Sequence, residues 1–182
     1  MTTRPTLRLA VALAAAALSS WASPPAGAAP PEPRGAPAGD AGVIFTAHNA
    51  YRARHCAPPL TWSADVAKVA QAWADRLARD CSFQHSGSSK YGENLWAGTA
   101  GAFGPDRVVA SWYDEVAKYD YKRPGFSMAT GHFTQVVWVE TRALGCGTAT
   151  CKGNRLWVCN YAPPGNVEGQ FGRNVLPTSC KK

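Results

Sequence analysis

The chain has 182 residues, 46% of them hydrophobic and 10% aromatic, and 19 Lys and Arg against 12 Asp and Glu give it a formal charge of +7. That is enough chain for one domain with a substantial core. The cations are scattered, with no run longer than Lys181-Lys182, which excludes the basic patch of a nucleic-acid binder and favours anionic surfaces such as cell walls or phospholipid headgroups.

The chain opens with Arg4 and Arg8, an apolar run from Leu9 to Leu18, and small residues ending in Ala26-Gly27-Ala28. This is the layout of a secretory signal, with cleavage expected after Ala28. The apolar run is about half the length needed to span a bilayer, and no later segment is long enough either. The expectation is therefore an exported, soluble protein with a signal over 1–28. Residues 29–39 are rich in Pro and Ala and read as a flexible linker. The folded unit is expected over 40–182.

The stretch "DAGVIFTAHNAYRARH" places Val43, Ile44, Ala47 and Tyr51 on one helical stripe. In "TWSADVAKVAQAWADRLARD", Ser63 can cap a helix whose stripe is Val66, Val69, Ala70, Trp73 and Leu77. Pro105 and Asp106 start a third helix, "PDRVVASWYDEVAKYD", with Val108, Val109, Trp112, Val116 and Tyr119 on its apolar face. Glu115 lies at the edge of that face, either reaching out to water or held inward by a partner. Further on, "FTQVVWV" and "RLWVCNYA" are short, rich in Val and aromatics, and read as strands, with "GCGTATCKGN" as the connecting turn region. Helices followed by strands predict an α+β domain with helices on a mainly antiparallel sheet.

Six cysteines, Cys56, Cys81, Cys146, Cys151, Cys159 and Cys180, lie beyond the leader. An even count in an exported domain reads as three disulfides, and the absence of a C-x-x-C pair argues against a zinc-thiolate site. Spacing does not choose among the possible pairings. Of the four histidines, His55 reads as exposed after the first helix and His48 as a candidate for a hydrogen-bonded core position. His85 lies in "CSFQHSG", His132 in "TGHFTQ", and Glu93 in a Gly-flanked turn before Leu95-Trp96. No two of His85, Glu93, Glu115 and His132 share a helix at metal-ligand spacing, so spacing alone does not bring them together.

The motifs carry more than the spacing. "GHFTQVVWVETRALGCG" and "VCNYAPPGNVEGQ" resemble the two signatures of the CAP superfamily, the secreted proteins related to plant pathogenesis-related protein 1. "HNAYR", "PLTWS", "CSFQHSG", "YGENLW" and "WYDEV" resemble its other landmarks in the same order, from about Val43 to Val175. The segment "DYKRPGFSMATGHFTQVVW" is similar to the central segment of fungal and bacterial members.

This resemblance implies an α-β-α sandwich in which His85, Glu93, Glu115 and His132 meet at the floor of a cleft. Such a quartet is chemically able to hold a divalent metal, zinc or magnesium, with the carboxylates orienting the imidazoles. A metal there would permit hydrolysis with Glu93 or Glu115 as base. Ser86 beside His85 raises a Ser-His-Glu alternative, against which stands the absence of a Gly-x-Ser-x-Gly elbow. The quartet is equally readable as a polar network pinning helix to sheet. The loop "YDYKRPGFSM", with Tyr119, Tyr121, Pro124 and Phe126, resembles the aromatic loop of sterol-binding relatives. It implies a lipid, sterol or fatty-acid ligand; a cell-surface or cell-wall target, or a protein-interaction role independent of the cleft, are the other functions expected. The resemblance to plant members further implies Cys81–Cys151 and Cys146–Cys159, leaving Cys56 to pair with Cys180; the plant pattern has a Cys where this chain has Thr130. A monomer is expected.

Overall fold

The computed structural model describes residues 35–180 together with Met1. The expected signal and residues 29–34 of the expected linker lie outside the described residues. The elements in chain order are α1 (Gly39–Arg54), β1 (Thr61–Trp62), α2 (Ala64–Asp80), β2 (Gly92–Thr99), α3 (Pro105–Tyr113), a 3-10 turn (Asp114–Lys118), α4 (Gly131–Val137), β3 (Ala143–Cys151), β4 (Asn154–Ala162) and α5 (Phe171–Asn174). The four strands form one sheet in the order β1-β3-β4-β2. Pairs β2–β4 and β3–β4 are antiparallel, while the two-residue β1 runs parallel to β3, so the sheet is mixed.

Strand alternation divides the core into two layers. Leu95, Leu156 and Val158 face α2 and pack with Ala70, Ala74 and Leu77. Cys146, Trp157, Cys159 and Tyr161 face the other way, into a larger core with Ile44, Phe45, Trp112, Phe133, Val136 and Trp138 from α1, α3 and α4. The architecture is α-β-α.

Helix α2 follows its sequence pattern closely. The Ser63 side chain accepts from the Val66 amide, capping the first turn, and Cys81 ends the helix in the left-handed conformation (φ 46°). The expected stripes still drift, in α2 as well as in α1. Val43 and Val69 are exposed, and α1 instead buries Ile44, Phe45, His48 and Arg52. A hydrophobic count misses this face because half of it is polar: Arg52 is wholly buried and has no acidic partner among the described residues. Its guanidinium donates to the carbonyls of Pro58 (2.9 Å), Val136 (3.0 Å), Trp138 (2.8 Å) and Thr141 (3.0 Å). Burial lowers its pKa to about 9, reinforced by Arg142.

Several sequence readings differ from the fold. "FTQVVWV" is not a strand, because Phe133–Val137 belong to α4. Both ends of α4 are satisfied from elsewhere in the chain, by Glu115 at its amides and by Arg52 at its C-terminal carbonyls, so tertiary partners override the β-propensity of Val and Phe. "GCGTATC" is not a turn but strand β3, and only Lys152-Gly153 turns the chain into β4. Gly145 and Gly147 sit there because α2 runs hard against the strand; Cβ atoms at those positions would collide with the backbones of Ala67 and Gln71. Glu93 lies in strand β2 rather than in a turn. The third helix also tightens into the 3-10 turn at Asp114, as its last stretch swings toward α4.

Disulfides join Cys56 to Cys180, Cys81 to Cys151 and Cys146 to Cys159. The last spans directly opposed residues of β3 and β4, and the second ties the end of α2 to the end of β3. Bridges of this kind contribute roughly 2–4 kcal/mol each. His55, expected to be exposed, is wholly buried. The segment carrying Leu176, near the Cys56–Cys180 bridge, folds over it: His55 Nδ1 bonds the Leu176 carbonyl and Nε2 the Tyr113 hydroxyl (3.0 Å).

Candidate functional site

A hollow of about 340 Å3 opens where the start of β2 meets the start of α4, lined by His85, Glu93, Asn94, Phe126, Met128 and His132 among others. Two imidazole–carboxylate pairs flank it, one from each side of the sheet.

The first pair is His85–Glu93. His85 sits in the 82–91 segment, which Trp73 of α2 anchors by donating from its indole to the Gln84 carbonyl (3.1 Å). Glu93 Oε1 accepts from His85 Nδ1 (2.7 Å) and from the Ser86 amide (2.9 Å). Glu93 Oε2 is buried without a donor among the described residues. Burial would push the Glu93 carboxyl up, but the donors from His85 and Ser86 outweigh it and hold it below its usual value. The same bond to Glu93 raises the His85 pKa against partial burial.

The second pair is His132–Glu115. His132 is the second residue of α4 and Glu115 belongs to the 3-10 turn. Glu115 Oε1 accepts from His132 Nδ1 (2.7 Å), and Oε2 accepts from the backbone amides of His132 (3.0 Å) and Phe133 (3.1 Å). Those amides are first-turn donors with no partner inside the helix, and the helix N-terminus favours negative charge. One carboxylate thus starts α4 and aims its imidazole. Trp112 stacks on the His132 ring at 6.2 Å and 16°. The His132 carbonyl accepts from Asn94 Nδ2 (3.1 Å), which also donates to the Tyr161 hydroxyl (3.1 Å), itself bonded to His48 Nε2 (2.8 Å).

In both pairs Nδ1 gives its hydrogen to a carboxylate. The neutral imidazole then carries an unprotonated Nε2, and neither Nε2 has a partner among the described residues. The hollow therefore offers two acceptor nitrogens that become donors on protonation. The Ser86 hydroxyl makes no bond to His85 among the described residues; its oxygen accepts from the Ser88 amide (3.3 Å). Glu115 is occupied at both oxygens. No group of three or more His, Cys, Asp or Glu side chains is close enough to hold a metal ion among the described residues.

The aromatic loop divides between core and hollow. Tyr119, expected both on the apolar face of the third helix and in the aromatic loop, is only 9% exposed and packs edge-on against Phe133 (5.6 Å) and Tyr121 (4.9 Å). Pro124 lies against α5 near Gly172. Phe126, 51% exposed, reaches the hollow. Gly131 makes room for it, since a Cβ there would stand 3.0 Å from Phe126 Cε2. Sequence reasoning missed Tyr91, Asn94, Met128 and Asn166, which also line the hollow. Asn166 holds a positive φ of 56° and donates from Nδ2 to the Gly131 carbonyl (2.9 Å). A conformation that Asn tolerates better than most residues, in "PPGN", was the one available signal.

Comparison with known proteins places these residues in context. The chain is 46% identical over 137 residues to Protein PRY2 of Saccharomyces cerevisiae, covering 71% of this chain and 39% of that protein. It is 44% identical over 134 residues to Secreted protein RBT4 of Candida albicans, covering 69% and 35%. The chain thus spans under half the length of both. In fold it is similar to NaASP2, solved with Zn2+, at a TM-score of 0.62 and 23% identity over 80% of this chain and 90% of that one. The family model for the cysteine-rich secretory proteins matches residues 45–161. This chain belongs to that family, CAP.

Proposed function

We propose that this is an exported CAP protein whose hollow binds a small amphipathic lipid, a sterol or a fatty acid. One observation carries the reading: both imidazoles and Phe126 of the aromatic loop line a single hollow, so the polar and the apolar candidate sites are one. At about 340 Å3 it falls at the lower end of small-molecule sites. The polar head sits at the two Nε2 atoms, where a sterol hydroxyl donates to neutral imidazole or a fatty-acid carboxylate accepts from a protonated one. The apolar body lies along Phe126 and Met128, the latter 84% exposed. Export is supported by the leader pattern, by three disulfides, which persist in oxidising compartments, and by the printed name of the relative RBT4. No helix among the described residues is long and apolar enough to cross a membrane. A monomer acting at a cell surface or wall fits this reading.

The test uses protein recovered from the medium, with Ala29 expected as its first residue, titrated with a fluorescent sterol and a fluorescent fatty acid. Saturable binding of one of them is expected, weakened about tenfold in Phe126→Ala, the loss of one apolar contact face. Absence of saturable binding of either would reject the lipid reading.

A second reading has its own observation. Carboxylates holding Nδ1 while Nε2 stays free is the outer-shell arrangement that orients histidine ligands toward a metal. Two imidazole nitrogens suit zinc better than magnesium, which seeks oxygen. His85 and His132 would hold the ion, with water completing its sphere, and a bound zinc would supply Lewis acidity. NaASP2 was solved with that ion. Calorimetric titration with zinc is expected to show uptake that disappears in the His85→Ala/His132→Ala double variant. Equal uptake by both proteins would place the metal elsewhere.

A further inference from the structure

A second hollow, of about 290 Å3, lies where β2, the last strand of the sheet order, meets α3. Trp96 and Gly98 of β2 line it, with Phe103 from the following loop, Arg107 and Ser111 of α3, and Asp114 just after. A Cβ on Gly98 would stand 2.6 Å from Cζ2 and 3.1 Å from Cζ3 of Trp96. The glycine thus lets the indole ring lie against its own strand, where it lines the hollow. Phe103 meets the indole edge-on, at 5.7 Å and 76°, and is 52% exposed. The two rings stand nearly at right angles where they line the hollow. The Trp96 Nε1–H donates to no other group among the described residues.

The polar side of the hollow is unusual in its charge. Arg107 of α3 and Asp114, the first residue of the 3-10 turn, both line the hollow and are both exposed. Neither takes part in an ion pair among the described residues. Between them Ser111 donates its hydroxyl to the Val108 carbonyl (2.7 Å), keeping lone pairs to accept. A cationic ligand on the indole would meet Arg107, and an anionic one would meet Asp114. A neutral ring carrying both donors and acceptors satisfies the two charges together, with its C–H face on the indole.

We propose that Trp96, Phe103, Arg107 and Asp114 form a saccharide site that takes one pyranose unit of a glycan. The ring stacks on the indole against Phe103. Its hydroxyls donate to Asp114 and accept from Arg107 and from the indole N–H. The site shares no residue with the His/Glu hollow and stands whether or not that hollow binds lipid.

The experiment follows the Trp96 indole N–H signal of 15N-labelled protein during titration with chitotetraose and, separately, cellotetraose, to about 10 mM, since single-ring contacts of this size give affinities near the millimolar range. Saturable movement with either probe is expected. Affinity should fall about tenfold or more in Phe103→Ala and in Asp114→Asn. Both altered residues are exposed, and the backbone amide spectrum reports whether the fold is kept. No movement of the signal with either sugar overturns the proposal. So does unchanged affinity in both variants, or movement caused by tetramethylammonium but by neither sugar.

Discussion

His48 and His55 differ from His85 and His132 in what becomes of the second ring nitrogen. In the core pair both nitrogens are bonded to the protein: His48 to the Ile44 carbonyl and the Tyr161 hydroxyl (2.8 Å each), His55 to the Leu176 carbonyl and the Tyr113 hydroxyl. In the hollow only Nδ1 is bonded, each time to a glutamate at 2.7 Å. The core pair meets neutral partners and the hollow pair meets carboxylates, so burial drives His48 down to about 4 and His55 down as well, while Glu93 raises His85. A histidine saturated by neutral groups is framework. One held at a single nitrogen by a charge is left available to something else.

Truncation should separate the two pairs most sharply. His48→Ala leaves the Ile44 carbonyl and the Tyr161 hydroxyl without partners in a closed core, and is expected to lower unfolding free energy by about 3 kcal/mol. His85→Ala removes a side chain that is 60% exposed and should cost under about 1 kcal/mol. Urea unfolding of the two variants measures the gap, and equal losses would erase the distinction.

Acid should sharpen the comparison next. The neutral form of His48 is favoured in the folded state, so the unfolded chain takes up the proton first as pH falls below 6.5. Stability is expected to drop between pH 6.5 and about 4, by about 3 kcal/mol from this group. His55 acts in the same direction. In His48→Gln, thermal melts across that window should show a much flatter profile than wild type. His85 runs the other way: its folded pKa is raised, so its contribution is full below 6.5 and is lost as pH rises through the folded value. Screening at this exposed position keeps the contribution small. The smallest effect is then a shift rather than a loss of stability. NMR titration should place His85 above 6.5 and return it toward that value in Glu93→Gln, and an unmoved titration would remove Glu93 as its cause.

How much was legible in the residues varies by element for reasons that can be stated. Helix α2 was readable because its cap, Ser63, and its buried stripe lie within its own span. His48 was readable as a core group because it lies one helical turn from Ile44. His55 was not, since the groups that bury it include Leu176, more than a hundred residues away. Glu115 was left between solvent and interior, and the amides that draw it inward belong to α4. Trp96 passed as an ordinary apolar neighbour of Leu95, because its placement depends on the room Gly98 leaves and on Phe103 beside it.

The residue pattern alone was sufficient for the first three helices, the even set of cysteines and the motif order that marks the family, because each is written in local periodicity or in short contiguous words. Strand β3 and helix α4 were decided by tertiary contact. Glycines that look like turn formers are there to admit the α2 backbone, and Val and Phe that look like strand formers are helical because Glu115 and Arg52 satisfy the two ends. The meeting of the two imidazoles with Phe126 in one hollow belongs to the same class. It depends on the 82–91 segment, held against α2, and on α4 meeting at the start of β2, and no local pattern encodes that approach.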